Sequence, residues 1–272
     1  MFFHLKIIIR NLQRGGIYSY INVGGLAIGM AAAILILSWI YHEWSYDRFH
    51  KKEKNLYVVY NRVTFDGVIY CQSWTPLILG PTLKTDYSGI SGMTRMVSAD
   101  LVYAVEETAF NIQTGCVDAD FLTMFDFPLL QGNRETALND PYSVILTEKA
   151  AIRLFGHENP MGKMLLVNNQ HPLTVTGVMK DLPGNTMFQF EALVPFPFRK
   201  VYGGYYNEGW SANSVQTFVE LHPNAQFALV NESIRGVVKA HTNNSVQSEQ
   251  FLYPLGKQHL SCIIHKKTRK SS

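Results

Sequence analysis

The chain has 272 residues, with 47% hydrophobic, 17% charged and 12% aromatic side chains, an apolar balance that excludes the disordered class and suffices for a large core. Its net charge of +3 and pI near 8.6 come from dispersed bases with no stripe suited to tracking phosphates, which argues against a nucleic-acid partner. Cys71, Cys116 and Cys262 lie far apart without a C-x-x-C pair, so zinc-ribbon and thioredoxin chemistry are excluded, while a Cys71–Cys116 disulfide and isolated core cysteines both stay open.

The first predicted element, over residues 1–16, is a short amphipathic helix. Lys6, Arg10 and Arg14 recur at i, i+4 and i+8 with Phe3, Ile7 and Ile8 off that line, a pattern suited to an anionic leaflet. From Ile17 to Tyr41 no Asp, Glu, Lys or Arg interrupts an apolar run that would reach about 37 Å as a helix, enough to cross a bilayer. Tyr18 and Tyr20 at one end, and Trp39, Tyr41, Trp44 and Tyr46 at the other, fit two interfacial aromatic belts. A cleaved signal would have a shorter apolar core, and a buried core helix would not need the aromatic ends. Bases flank both ends, so the Lys/Arg rule alone gives no orientation. A long following domain translocates regardless of charge, which puts the N-terminus in the cytoplasm and the domain outside. Gly25, Gly29 and Ala33, spaced i, i+4 and i+8, form a smooth stripe of the small-xxx-small kind that lets another helix approach closely.

After a juxtamembrane stalk, 42–54, the pattern turns to β-rich runs. The stretch "NLYVVYNRVTFDGVIYCQSW" reads as a hairpin about Asp66-Gly67. In "TPLILGPTLKTDY", Thr75 is expected to cap a helix with Pro76 at its first position. A strand is expected over Met93–Val97 and a further pair over Leu101–Cys116. "DADFLTMFDFPLLQG" places Phe121, Leu122, Met124 and Phe125 on one helical face, read as a core face. Ser143–Leu146 reads as a strand entering a helix capped by Thr147 and stopped by Gly156. Two strands joined at 168–172, a turn at 181–184, a Gly- and aromatic-rich loop in "KVYGGYYNEGWSANS" and a strand in "VQTFVELHP" follow. An amphipathic helix carrying Phe227, Val230, Ile234, Val237 and Val238 comes next. Strands and helices without a regular βαβ repeat define an α+β domain over 55–260.

No motif carries chemistry. There is no G-x-S-x-G, H-E-x-x-H or Walker A, and His259, Cys262 and His265 would not share one helix face as metal ligands. Glu43, Asp47 and Glu53 are read as a solvated face mixed with Arg48, Lys51 and Lys52. No catalytic residue, cofactor or metal is expected, and the chain is not expected to be an enzyme.

Five segments in order carry a resemblance: "RNLQRGGIYSYINVGGLAIGMAAAILI", "EWSYDRFHKKEKNLYVVY", "DFLTMFDFPLLQGN", "SVILTEKAAIRLFGHENPMGK" and "VTGVMKDLPGNTMFQF". Together with "FLYPLGKQHL" they resemble the N-terminal half of MacB/FtsX-type ABC transporter permeases, in the form common in Bacteroides-like bacteria. The resemblance implies an inner-membrane subunit with a first transmembrane helix and a MacB-like periplasmic core domain. It also implies a C-terminal permease domain, dimerisation, a separate ABC ATPase partner, and coupling of the ATP cycle to periplasmic motion in efflux or mechanotransmission. After Leu260 the sequence instead runs into a short basic tail, 261–272, expected to be disordered, so the expectation is a truncated permease or half of a split one.

On this reading Gly25, Gly29 and Ala33 meet a helix of a second permease copy or of the missing half. Ser45, Tyr46, Asp47, Arg48, Phe49 and His50 form the stalk that couples membrane to domain. Membrane lipid and a periplasmic adaptor complete the expected partners. The alternative is a membrane-anchored periplasmic binding or sensing module without an ATPase.

Overall fold

The computed structural model describes residues 16–65, 68–260 and 266–267, which fall into two compact units, Met1–Tyr46 and Asp47–Ser272. The expected amphipathic helix lies outside the described residues apart from Gly16, as do the Asp66-Gly67 turn, Cys262 and His265.

Among the described residues, the first unit contains one helix, α1 (Gly16–Trp44), of 29 residues. It is apolar without interruption, with a mean hydropathy of 2.2 in its best window, and none of that window is buried inside the protein. Its length, about 44 Å, exceeds a ~30 Å hydrocarbon core. A helix that is apolar all round and shields nothing in its own chain suits lipid or another helix. Gly25, Gly29 and Ala33 lie on it, all exposed, and a Cβ built on either glycine meets nothing within 4 Å.

The second unit is built on one mixed sheet. Its strands are β1 (Leu56–Phe65), β2 (Val68–Gln72), β3 (Trp74–Pro76), β4 (Ile90–Val105), β5 (Thr108–Val117), β6 (Leu129–Gly132), β7 (Ser143–Thr147), β8 (Met164–Val167), β9 (His171–Met179), β10 (Ala192–Pro195), β11 (Asn213–Leu221), β12 (Ser248–Pro254) and β13 (Lys266–Lys267). The order is β13-β2-β1-β11-β4-β5-β10-β7-β9-β6, with β12 on β1, β3 on β11, and β8 on β4 and β9. β10 runs parallel to β5 and β7 parallel to β9, and the other pairs are antiparallel. With helices α2 (Leu79–Asp86), α3 (Phe121–Met124), α4 (Glu148–Phe155), α5 (Phe198–Val201), α6 (Phe227–Ser233) and α7 (Val237–His241), this is the α+β class expected after a single N-terminal apolar helix.

Three apolar clusters fill the unit. One gathers Leu101, Tyr103, Ile112, Val144, Leu154 and Val194 about β4, β5 and α4. A second is aromatic, with Phe121, Phe125, Phe127, Phe188, Phe190 and Phe218. A third packs α2, α6 and α7 through Leu83, Val230 and Val237 onto β1, β11 and β12 through Val59, Val219 and Leu252.

Local signals that need no distant partner hold. Thr147 caps α4 by accepting the Ala150 N–H, and Gly156 ends it at φ 62°. Asn168 and Asn169 turn β8 into β9 with φ of 51° and 55°, a conformation Asn tolerates. Phe121, Leu122, Met124 and Phe125 are all buried, although α3 is a single turn.

Other expectations require correction. Thr75 does not cap a helix: it lies in β3, and its buried hydroxyl donates to Val215 O at 3.1 Å and meets Thr217 Oγ1 at 2.8 Å. The helix starts at Leu79, with Pro81 in the first turn, where a missing N–H costs nothing. The strand expected over Met93–Val97 and the first member of the following pair are one strand, β4, of 16 residues. It pairs with β11 in its first half and β5 in its second, which lets Ser98 and Asp100 face outward without breaking it. The amphipathic helix at 227–241 breaks into α6 and α7 at Gly236, leaving Phe227 partly exposed and stacked on Tyr57 at 5.1 Å.

Candidate functional site

The stalk residues divide where α1 ends. Ser45 continues the first unit, its N–H bonded to Tyr41 O at 2.9 Å and its hydroxyl donating to His42 O at 3.0 Å. The Tyr46 ring meets His42 edge-on at 6.3 Å. From Asp47 the chain belongs to the second unit, with Asp47 and His50 buried and Arg48 and Phe49 between them exposed.

Asp47 overturns the reading of a solvated acidic face. Its side chain is fully buried, accepting the Thr186 hydroxyl on Oδ1 and the Met187 N–H on Oδ2 at 3.1 Å. Its own N–H donates to Asn185 O at 2.9 Å. The backbone there sits at φ 54°, a left-handed conformation that Asp tolerates better than most side chains. A buried carboxylate is stable only when its lone pairs are met, and one short segment, 185–187, meets them.

His50 is held on a second segment. Its Nδ1 accepts the Asp126 N–H at 3.0 Å, and the Asp126 carboxylate in turn accepts the Lys51 N–H at 2.7 Å. Because a backbone N–H points at Nδ1, the proton of the neutral ring sits on Nε2, which is buried without a partner. The rings of Phe125 and Phe127 meet His50 edge-on at 5.1 Å, and Phe49 lies at 4.1 Å. Burial drives the His50 pKa down to about 4, opposed only in part by the Asp126 charge. Lys52 extends the attachment by pairing with Glu220 and donating to Thr123 O at 3.2 Å.

Both receiving segments are themselves braced. Arg134 donates to the carbonyls of Leu122, Phe125 and Phe127, tying down the loop that carries Asp126. Phe188, next to the Asp47 partners, packs on Phe121, Phe125 and Phe127 at 4.8–5.5 Å. Thr186 also lines a cavity of about 360 Å³ with Asp181, Phe190 and Glu191. Within the second unit, Asp47 and His50 thus bury two polar side chains three residues apart, one against segment 185–187 and one beside Phe125 and Phe127.

Of the expected site residues, the structure brings Asp47 and His50 into the core, while Gly25, Gly29 and Ala33 stay exposed on α1. The sequence reading did not foresee Thr186, Met187, Asp126 and Arg134, whose spacing from the stalk carries no periodic signal. Cys71 and Cys116 are free thiols, Cys116 buried and Cys71 partly so. Among the described residues, no three His, Cys, Asp or Glu side chains are grouped as a metal ion would need.

The profile of the MacB-like periplasmic core domain matches residues 19–237, and the chain belongs to that family. Its fold is similar to that of a domain assigned to a permease protein from Porphyromonas gingivalis, with TM-score 0.61 and 22% identity over 75% of this chain and 92% of that one. It is also similar to the periplasmic region of MacB from Actinobacillus actinomycetemcomitans, with TM-score 0.56 and 17% identity over 76% and 92% of the two chains. The extracellular domain of the noncanonic ABC-type transporter YknZ from Gram-positive bacteria gives TM-score 0.53 and 15% identity over 72% and 100%. No curated protein matches. The chain is thus a membrane subunit of the ABC-transporter permease class, carrying a MacB-like core domain after one helix long and apolar enough to cross a membrane.

Proposed function

We propose that this subunit couples a separate cytoplasmic ABC ATPase to conformational change in the periplasm, in an efflux or mechanotransmission system. α1 crosses the inner membrane with its N-terminus in the cytoplasm, and the core domain is periplasmic. Ser45–His50 is the coupling segment. The observation that supports this is the burial of Asp47 and His50 in two braced loops of the core, since such an attachment transmits displacement of the chain instead of absorbing it. Gly25, Gly29 and Ala33 form the face of α1 that packs on a helix of a second permease copy or of a further permease segment. The chemistry of ATP hydrolysis belongs to the partner.

The test is co-purification from membranes. A tagged full-length chain in mild detergent is expected to bring down an ABC ATPase, and to lose ATP-dependent changes in core-domain protease sensitivity when Asp47 is replaced by Ala. Recovery of the intact chain without any ATPase would overturn the coupling reading and leave an anchored binding module.

A further inference from the structure

Arg199, on α5, is a cation with almost no partners. It is only 5% exposed, yet it forms no ion pair among the described residues. Among the described residues its guanidinium makes a single long hydrogen bond, to Ser214 O at 3.4 Å, and it passes 5.9 Å from the centre of the Phe196 ring. Five N–H donors in a planar fork are therefore served by one marginal acceptor.

Arg95 shows what a satisfied arginine looks like on the same ring. Its guanidinium lies 3.9 Å from the Phe196 centroid, and it binds Asp118 through two parallel bonds, Nε to Oδ2 at 2.9 Å and Nη2 to Oδ1 at 2.6 Å. Among the described residues, Arg199 has no such carboxylate. The ionisable groups near it are Cys116 and Tyr202, joined by a 3.5 Å contact between Sγ and Oη. Burial pushes the Cys116 thiol up to about 11, with the Tyr202 hydroxyl and the Arg199 charge opposing it in part. Burial, together with Cys116, pushes the Tyr202 phenol well above its ordinary range. Both are neutral near pH 7 and cannot balance a positive charge.

The surroundings are built to hold this side chain in place. Gly204 donates its N–H to Arg199 O at 2.9 Å, and a Cβ at position 204 would stand 2.9 Å from Arg199 Cγ, so the loop lies directly on the arginine stem. Ser214, whose carbonyl is the one acceptor, also carries a sealed hydroxyl without a partner. The Arg199 Nε and Nη2 are not among the sealed, unpartnered atoms, so each keeps some contact with solvent. The ligand that suits a planar fork of unmet donors is a carboxylate or a phosphate.

We propose that Arg199, with Ser214 beside it, is a binding site for an oxyanion, a carboxylate or phosphate group supplied from outside the chain. The site is independent of the coupling segment and of any ATPase.

The full chain in detergent micelles is heated in inorganic phosphate, in acetate, and in chloride at matched ionic strength. The expected result is a saturable rise of Tm with phosphate or acetate that chloride does not give, and the stronger of the two identifies the chemistry of the natural group. Arg199→Gln removes the whole anion-dependent rise, and Ser214→Ala, which keeps the cation, raises the half-saturating concentration several-fold. An undiminished rise in Arg199→Gln, or none in the native chain, overturns the proposal. In case Arg199→Gln fails to fold, the native chain carrying ¹⁵N-arginine is titrated with phosphate and with acetate. One saturable Nε shift, absent from Arg199→Lys, supports the site, whereas no shift with either anion, or linear drift of all the arginines, overturns it.

Discussion

Thr186 donates its hydroxyl proton to the carboxylate of Asp47, closing a link between residues 139 positions apart. Together with the Met187 N–H it leaves Asp47 fully buried and hydrogen-bonded. Asp47→Ala would strand two donors and place a less tolerant side chain at positive φ, at a cost of about 2–4 kcal/mol. Chemical denaturation is expected to show this loss in the second unit, with Asp47→Asn milder. A double-mutant cycle with Thr186→Ala should give a coupling of at least about 0.5 kcal/mol, and strict additivity would argue against the contact.

His50 makes the second unit sensitive to acid. Its folded pKa of about 4 lies below the ordinary value of 6.5, so between those limits the unfolded chain binds more protons and stability rises with pH. The effect is complete above about pH 6.5 and lost as pH falls towards 4, with a ceiling of roughly 3 kcal/mol. The Asp126 carboxylate, which faces the ring's neighbourhood, reduces it. Denaturation midpoints across pH 4–7 should flatten in His50→Phe. An equally steep dependence in that variant would place the sensitivity elsewhere.

Gly29→Ile is expected to weaken self-association of α1 in a membrane-dimerisation assay, since the stripe of Gly25, Gly29 and Ala33 admits close packing only while its side chains stay small. The equivalent change on the opposite face, Ala31→Ile, should have little effect. Equal association in all three forms would remove the stripe from the interface.

Gly132, at the end of β6, has φ 100° and runs against β9, where a built Cβ would stand 2.4 Å from Thr176 O. Backbone cannot yield as a flexible side chain can. Gly132→Ala should therefore cost more than about 2 kcal/mol, measured by thermal unfolding, whereas Gly184→Ala, with open space at its Cβ, should change little.

What was legible in the sequence shares one property, short range. The apolar run of α1, the Thr147 cap and the buried face of Phe121 to Phe125 are each written within a few residues. Thr75 misled because a threonine before a proline is equally good as a cap and as a strand residue, and only β11, far along the chain, decides between them. Asp47 misled for the same reason: among Arg48, Lys51 and Lys52 it looks solvated, and nothing local announces the 185–187 segment. The isolation of Arg199 is still less visible, because it consists of partners that are missing in space.

β4 pairs with β11 from Ile90 to Met96, with β5 from Met96 to Val105, and with β8 at Tyr103 and Ala104. Sixteen residues of continuous strand span about 50 Å, and no loop divides the part that serves one cluster from the part that serves the next. The second unit thus has a beam at its centre where a hinge would otherwise be: a load taken up at one end of that strand is delivered at the other, and motion within the unit must come from bending the beam or from the loops at its tips.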